Sequence, residues 1–372
     1  QHRFYQREDG QGGDYYISFV EFDDQGWFAD RKQMKALFAL LEKLEKEDKE
    51  TNGHTLIQVY AHGWKHNASA CDNNVLCFSR LLERTDLSEK MGGVMKAMEQ
   101  ETDPKELKVR KVVGVYIGWR GLPFDTELNN VSFYSRKNTA ERVGRGGVFE
   151  LLTRLKDYRD KRQKEAQVLK AGKLQKLEKK ITEEATVMVK PEQEQDLVKK
   201  AKEKLDQAIK EKEALLKTNG VDSGPRTQLI ITGHSFGGLV IYSALSHALM
   251  ERATQTKTKA FPDPAAEYRT AKSFGDFVLL VNPAFEGSLY EPLFNIATNR
   301  CYDPEQWPVM MIVTSTADKA TGIGFPLGRA LGTLFQHKGS AEQGDSMHKT
   351  IGHNERYKTH DLTIPRKRNI LD

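Results

Sequence analysis

With 372 residues, 38% of them apolar, and a net charge of +5, the chain suits one large α/β domain that carries an insertion. It contains no run of about 18 apolar residues, so the sequence predicts no transmembrane segment. The three cysteines, Cys71, Cys77 and Cys301, exclude a disulfide framework or a cysteine-rich metal site; Cys71 could pair with Cys77, but buried free thiols fit so sparse a set better.

Strands and helices alternate along the first third of the chain. Residues 14–24 have the composition of a strand, and residues 30–50 carry apolar residues at helical spacing. Residues 55–64 form a short apolar run of the kind found in buried parallel strands, and a β-branched run follows at 112–117. A further helix is predicted from about Thr139, despite the glycines in that stretch.

The chain changes character between Lys161 and Lys217, where Lys, Glu, Gln, Ala and Leu dominate. This segment holds 16 Lys and Arg against 11 Asp and Glu, whereas the rest of the chain is balanced at 41 against 41. Its leucine spacing predicts two helices with a break around Pro191, that is, a helical hairpin that projects from the body. A solvated, salt-bridged insertion is the simplest interpretation, and a lid or a partner-docking arm is the alternative.

The basic residues of this insertion lack interleaved aromatic residues, which argues against a nucleic-acid partner. After the insertion the strand–helix alternation resumes, with a predicted strand at 228–232 and further strands predicted within 276–287 and 308–318. This alternation favours a mostly parallel sheet flanked by helices. The predicted core domain therefore comprises residues 14–160 and 218–372, and the insertion comprises residues 161–217. Because the chain begins at Gln1, we expect a processed or trimmed N-terminus, which leaves the compartment open.

The segment Gly233-His234-Ser235-Phe236-Gly237 places a serine between two glycines where a predicted strand becomes a predicted helix. Such a turn is so tight that flanking side chains would collide with the strand and helix, and it holds the serine hydroxyl exposed above the sheet. The pattern therefore predicts that Ser235 is a nucleophile. An ordinary glycine-rich turn is the alternative.

A nucleophilic serine needs an oxyanion hole, in which two backbone amides bind the developing negative charge. One amide should come from Phe236, the residue after the serine, and the second from a loop that follows an earlier strand. His62-Gly63-Trp64 follows such a strand, and Gly63 would let the backbone approach a substrate carbonyl. The amide of Trp64 is the preferred second donor, and His62 is expected to be structural.

With these two motifs the chain resembles serine hydrolases of the α/β-hydrolase fold, of the esterase or lipase type. The resemblance covers roughly residues 14–363 outside the insertion. In that family the nucleophile is followed along the chain by the acid and then by the histidine, with the acid after a later strand. The resemblance thus implies Asp318 as the acid that orients the base. Glu286 is a competing acid, and Asp345 is a weaker one.

Four histidines lie downstream of the predicted acid; His337 falls at an apparent helix end, which leaves His348, His353 and His360 as candidates. His353 follows a short predicted strand and a glycine, which is the usual placement of the base. His360 is preferred by a small margin, because three apolar neighbours would anchor its segment against the body. These neighbours are Tyr357, Leu362 and Ile364.

The resemblance implies hydrolysis of carboxylic esters, small or lipid-like, through an acyl-enzyme, without a cofactor or metal. Trp64, Phe236 and Trp119 are candidate apolar contacts for an acyl chain, although core packing is an equal expectation for Trp119. The same residues could hydrolyse amides or thioesters. A non-catalytic interaction protein that keeps the fold and binds a protein partner through residues 161–217 is a further alternative. The sequence shows no phosphate loop, His-Glu-x-x-His zinc motif or dinucleotide-binding glycine pattern.

Overall fold

A seven-stranded sheet forms the centre of the computed structural model, and a separate two-stranded sheet lies beside it. The structure describes residues 2–5, 14–47, 54–99, 109–120, 129–189, 195–217, 226–255, 257–259, 268–318, 321–322, 325 and 341–363. The strands are β1 (His2–Tyr5), β2 (Tyr15–Glu21), β3 (Thr55–Ala61), β4 (Lys111–Gly118), β5 (Gln228–His234), β6 (Lys257–Lys259), β7 (Tyr268–Thr270), β8 (Phe277–Val281) and β9 (Met310–Val313).

Helices cover both faces of the large sheet. They are α1 (Arg31–Glu47), α2 (Asn73–Glu99), α3 (Asn129–Val143), α4 (Phe149–Val189), α5 (Gln195–Lys217), α6 (Phe236–Thr254), α7 (Gly287–Thr298) and α8 (Ala341–His348). Within the described part of the chain, no helix combines the length and the apolar character needed to cross a membrane.

The strand order of the large sheet is β1-β2-β4-β3-β5-β8-β9, and β6 pairs with β7 in the small sheet. Strand β1 is antiparallel to β2, and the other six strands of the large sheet run parallel. The prediction of a mostly parallel sheet flanked by helices is therefore confirmed. Because the strands are parallel, the loops after β3, β5, β8 and β9 meet at one edge, called the carboxyl edge below.

The core explains why the central strands are apolar along most of their length. Strand β3 is buried at every position except Tyr60, because helices pack on both of its faces. Helix α6 has eleven buried residues distributed around its circumference, as expected for a helix enclosed by the sheet and other helices. A smaller apolar cluster under α2, which includes Phe78, Leu82 and Tyr116, covers the other face.

The predicted helix from Thr139 is in fact two helices joined by a π-helical turn. Helix α3 begins ten residues earlier than Thr139, and the turn spans Gly144–Val148. A Cβ atom at Gly144 would lie 2.4 Å from the carbonyl oxygen of Val240, so glycine lets this turn press against α6. The glycines therefore mark a close approach between helices.

The charged insertion consists of the outer part of α4 together with α5, and the two helices pack antiparallel. Lys204 pairs with Glu184 at 3.6 Å and Lys212 pairs with Glu178 at 2.9 Å, so residues later in α5 face residues earlier in α4. The predicted boundary at residue 161 falls inside α4, which begins at Phe149 within the core. Pro191, where a break was predicted, lies outside the described residues.

The insertion, called the helical arm below, leaves the core at the edge opposite to the carboxyl edge. The amide of Gly147, just before α4, donates to Gly26 in the loop after β2 (2.7 Å). Sixteen residues later, the Gln163 side chain donates to the carbonyl of Thr227, directly before β5 (3.1 Å). The remaining 26 residues of α4 extend about 39 Å beyond that point at 1.5 Å per residue. To act as a lid over the carboxyl edge, the arm would have to extend from the core in the opposite direction.

The cysteines depart from the expectation of buried thiols. Cys71, Cys77 and Cys301 are all free and all exposed. Cys71 lies just before α2, Cys77 lies on its solvent face and Cys301 follows α7, so each sits at the periphery of the sheet. The alternative pairing of Cys71 with Cys77 is not formed.

Candidate functional site

Ser235 occupies the tight turn between β5 and α6 in a backbone conformation that side chains rarely adopt. Its φ is 54° and its ψ is −122°. The neighbouring loop holds this conformation: the Ser235 amide donates to the Val281 carbonyl (3.0 Å), and the Ser235 carbonyl accepts from the amides of Gly238 (2.9 Å) and Ala284 (3.0 Å). Strain fixed in this way is typical of functional positions.

The glycines around Ser235 are required by the packing of the turn. A Cβ atom at Gly233 would lie 2.5 Å from the carbonyl oxygen of Gly237. A Cβ atom at Gly237 would lie 2.0 Å from the carbonyl oxygen of Ala61, the last residue of β3. The turn therefore sits directly against the end of β3, where the second motif begins.

The loop after β3 packs on the serine itself. A Cβ atom at Gly63 would lie 2.9 Å from the Cβ atom of Ser235 and 3.2 Å from the carbonyl oxygen of His234. The next residue, Trp64, is partly buried, and the Lys65 ammonium lies 4.6 Å from the centre of its ring. The sequence predicted this approach because glycine at this position removes the side chain that would prevent it.

His62 is fully buried and holds the same loop in place from its buried side. Its Nδ1 donates to the Gly63 carbonyl (2.9 Å), and its Nε2 accepts from the Trp119 amide (3.2 Å). The Trp119 indole donates in turn to the His62 carbonyl (2.9 Å) and stacks on the imidazole with 5.6 Å between ring centres. Both ring nitrogens thus hold the loop by hydrogen bonds, one as donor and one as acceptor, which requires the neutral form of the ring.

Burial lowers the pKa of His62 to about 4, which predicts a loss of stability in acid. Between pH 6.5 and 4 the unfolded state binds a proton on this imidazole and the folded state does not, so stability falls as the pH falls. We expect this group to contribute a loss of about 3 kcal/mol in the free energy of unfolding across that range. Chemical denaturation of the wild-type protein and of His62→Gln at several pH values measures this loss. The free energy of unfolding should depend less steeply on pH in the variant, and an equal dependence in both proteins would contradict the assignment.

His234, the residue before the serine, is largely shielded from solvent, and this burial is the main influence on its pKa. Burial lowers its pKa, His66 lowers it further, and Asp318 raises it. His66 lies on the loop after β3, where its Nδ1 hydrogen bonds to Asp72 at 3.0 Å. The pairing of His66 with Asp72 was not predicted, although a histidine four residues after His62 in the same loop was a visible signal.

Hydrogen bonds between loops connect Asp318 to the serine turn. Asn282, the residue after β8, has a left-handed φ of 42°. Its amide donates to the Val313 carbonyl (2.8 Å), and its side-chain oxygen accepts from the Ser315 amide (2.8 Å). The Asp318 amide donates to the Ser315 carbonyl (3.0 Å). Since Ser235 bonds to Val281, the loops after β5, β8 and β9 form one connected layer at the carboxyl edge.

His353 lies beside Asp318, with a threonine hydroxyl between them. The Thr321 hydroxyl donates to Asp318 Oδ2 at 2.7 Å and lies 3.1 Å from His353 Nε2. The preceding Gly352 packs on Thr314, the residue after β9, so closely that a Cβ atom there would lie 1.8 Å from the Thr314 hydroxyl oxygen. Of the candidate histidines, His353 is the one that these contacts bring next to Asp318. Thr321 was not singled out in the sequence, where no pattern marks it.

His360, the preferred base from the sequence, lies on an exposed segment, where its Nδ1 hydrogen bonds to the neighbouring Thr359 at 3.0 Å. The anchoring expected from its apolar neighbours is incomplete. Tyr357 is buried, but Leu362 is 81% exposed, and Ile364 lies outside the described residues. Burial of Tyr357, three positions upstream, is not sufficient to place His360 in the core. The geometry therefore favours His353.

The two competing acids have other partners. Glu286 is buried and forms an ion pair with the buried Lys137 at 3.2 Å. Asp345 lies on α8 and pairs with Lys349 at 2.8 Å. His348, the third candidate histidine, is the last residue of α8.

The aromatic side chains proposed as acyl-chain contacts are mostly part of the core. Phe236 is 1% exposed and Trp119 is 3% exposed. The Phe236 side chain therefore does not reach a ligand, which leaves its backbone amide as the candidate functional group. Trp119 still lines a cavity of about 740 Å³ at the carboxyl edge, between the ends of β2 and β4.

This cavity is lined by both charged and apolar side chains, among them Glu21, Arg120, Phe22 and Trp119, and Ser235 is not among its described lining residues. Among the described residues, no group of three or more His, Cys, Asp and Glu side chains is arranged to hold a metal ion. The carboxyl edge thus holds a strained serine with the loop after β3 packed on it, and a histidine joined to a carboxylate through a threonine hydroxyl. Among the described contacts, no hydrogen bond joins Ser235 to His353. Comparison of the chain with models of protein families, with curated proteins and with solved structures finds no match.

Proposed function

We propose that the protein is a serine hydrolase that cleaves carboxylic esters through an acyl-enzyme intermediate. The observation that carries the proposal is the backbone of Ser235, which is held at φ 54° with Gly63 of the loop after β3 packed on its Cβ atom. A serine fixed in this way at the carboxyl edge, beside a loop of backbone amides, has the arrangement needed for acyl transfer.

In the proposed mechanism, Ser235 attacks the ester carbonyl and His353 accepts its proton. Asp318 orients the histidine and stabilises the imidazolium without itself taking the proton. The amides of Phe236 and Trp64 bind the oxyanion, and the N-terminal end of α6 adds a favourable dipole at the same point. His353 then returns its proton to the leaving alcohol, and water cleaves the acyl-enzyme by the same steps.

The strand order and the position of Ser235 directly after the interior strand β5 support the α/β-hydrolase fold for this chain. We choose His353 over His360 as the base because His353 lies next to Asp318 through Thr321, whereas His360 is exposed on a peripheral segment.

The burial of the aromatic side chains near Ser235 indicates the class of ester. Phe236 is 1% exposed and Trp119 is 3% exposed, so neither presents a broad apolar surface to a long acyl chain. The carboxyl-edge cavity is lined by charged as well as apolar side chains, and Ser235 is not among its described lining residues, so its lining does not define an acyl pocket. We therefore propose small esters as substrates, rather than long-chain lipids.

Hydrolysis of p-nitrophenyl esters of graded acyl length by the full-length protein tests this proposal. We expect kcat/KM to be highest for short chains and to fall as the acyl chain lengthens. A steady rise toward long chains would contradict the preference for small esters, and the absence of turnover of every ester would favour the non-catalytic alternative.

A shortened helical arm tests the role of the insertion in the same assay. Replacing residues 179–211 by a short glycine-containing turn would join Glu178 to Lys212, whose side chains already form an ion pair with 2.9 Å between Oε1 and Nζ. Because the arm projects from the edge opposite to Ser235, we expect ester hydrolysis within about twofold of wild type. A large gain or loss would instead support a lid that covers the site.

A further inference from the structure

We propose that Thr321 is a positioning residue that connects Asp318 to His353 and determines which nitrogen of the His353 ring carries the proton. This inference rests on the proposed function, since His353 is the base only in that mechanism. The position of the ring proton can nevertheless be measured without any activity.

The direction of the hydrogen bonds follows from the chemistry of the three groups. An ionised carboxylate only accepts hydrogen bonds, so the Thr321 hydroxyl must donate its single proton to Asp318 Oδ2 (2.7 Å). The hydroxyl oxygen can then only accept from the histidine, so His353 Nε2, 3.1 Å away, must carry a hydrogen. The chain of donors therefore runs from His353 through Thr321 to Asp318.

This arrangement leaves Nδ1 of His353 as the nitrogen with a free lone pair. In the proposed reaction, Nδ1 accepts the Ser235 proton as the serine oxygen bonds to the ester carbonyl carbon. The Nε2 proton stays on the ring and the Thr321 proton stays on its oxygen, so the imidazolium charge is stabilised through the hydroxyl. When the tetrahedral intermediate collapses, the same Nδ1 proton passes to the leaving alcohol oxygen.

The surroundings fix the hydroxyl and the ring in these positions. Thr321 is 3% exposed, and its carbonyl accepts from the hydroxyl of the buried Thr350 at 3.2 Å. A Cβ atom at Gly322 would lie 3.1 Å from Cε1 of His353, so the backbone of this residue lies against the ring. A side chain at position 322 would displace the imidazole, and glycine permits the contact.

Two substitutions at position 321 separate the hydroxyl from the shape of the side chain. Thr321→Val keeps the volume and removes the hydroxyl, whereas Thr321→Ser keeps the hydroxyl and removes the methyl group. Thr153→Val is the matched control: its hydroxyl lies on α4, outside the candidate site, and is buried with no hydrogen-bond partner among the described residues. Loss of that hydroxyl should not alter the His353 ring.

The primary measurement is the 15N spectrum of the His353 ring at a pH where the ring is neutral. We expect protonation at Nε2 in the wild-type protein, Thr321→Ser and Thr153→Val, and a mixture of the two ring forms in Thr321→Val. A wild-type ring protonated at Nδ1, or an unchanged ring in Thr321→Val, would overturn the inference. Spectra can be interpreted even if the protein hydrolyses no ester, so failure of this inference is distinguishable from failure of the proposed function.

Steady-state kinetics adds a second test, because a loss confined to kcat differs from the effect of a general loss of packing. In Thr321→Val we expect kcat to fall roughly 10–100-fold with KM within about threefold, because a ring in the wrong form cannot accept the serine proton. Thr321→Ser should recover most of the loss. If the wild-type protein is active and Thr321→Val keeps full kcat, Thr321 does not position the base.

Discussion

Replacement of Ser235 with alanine is expected to lower kcat for a short p-nitrophenyl ester on the order of 10⁴–10⁶-fold, because the nucleophile and its base act as one unit. Stability should change little, since alanine occupies the same strained backbone without a new contact. Ser315→Ala is a matched control, because Ser315 is an exposed serine on the loop after β9 at the same edge. That variant should keep wild-type activity.

Two outcomes would contradict this expectation. Retention of most activity in Ser235→Ala would show that another group attacks the ester. Equal losses in Ser235→Ala and Ser315→Ala would point to damage of the shared loop layer rather than to loss of a nucleophile. Thermal denaturation of both variants shows whether the loss follows from unfolding.

His353→Gln is expected to produce a loss of similar size, about 10⁴-fold or more in kcat, because the serine then has no base to accept its proton. His360→Gln should stay within about threefold of wild type, since His360 is exposed and bonds to its own neighbour, Thr359. The two variants make the same chemical change seven residues apart. Steady-state kinetics with one ester compares them directly.

The opposite pattern, with activity lost in His360→Gln and kept in His353→Gln, would show that the C-terminal segment moves onto the serine when substrate binds. In that case Asp318 would also have to orient a histidine to which it has no described contact. Activity that survives in both variants would reject both residues as the base.

The parts of the fold and site that depend on local sequence could be predicted. Apolar runs at strand length predicted β2, β3, β4, β5, β8 and β9, because a strand covered on both faces must be apolar along most of its length. The short strands β1, β6 and β7 lack such a run, and β1 depends on pairing with β2. The glycines beside Ser235 were informative because the turn leaves no space for side chains at those positions.

The partner of the serine could not be predicted in the same way. His353 reaches Asp318 because Gly352 packs on Thr314 and because the amide of Ile351 donates to the Phe285 carbonyl (3.0 Å). Both contacts join segments that are far apart in the chain, and no periodic pattern in the sequence predicts such contacts. The argument for His360 used the apolar residues around it, and Leu362 turned out to face solvent.

The change in composition at residue 161 identified the helical arm but not the start of its first helix. Helix α4 begins at Phe149 because its first turns carry the buried side chains Leu151, Leu152 and Leu155 into the core. Composition changes only where the helix leaves the sheet, around Gln163. A shift in charge and apolar content thus locates the point of exit from the core, since burial rather than secondary structure governs composition.

The measurement that tests the central claim most directly is covalent labelling with a fluorophosphonate, followed by mass spectrometry of the labelled peptide. The proposed mechanism predicts one modified serine, Ser235, in the wild-type protein and no labelling of Ser235→Ala. It also predicts much slower labelling of His353→Gln, because the serine is then not activated. Labelling that persists in Ser235→Ala, or a folded wild-type protein that stays unlabelled, would contradict the assignment of Ser235 as the nucleophile.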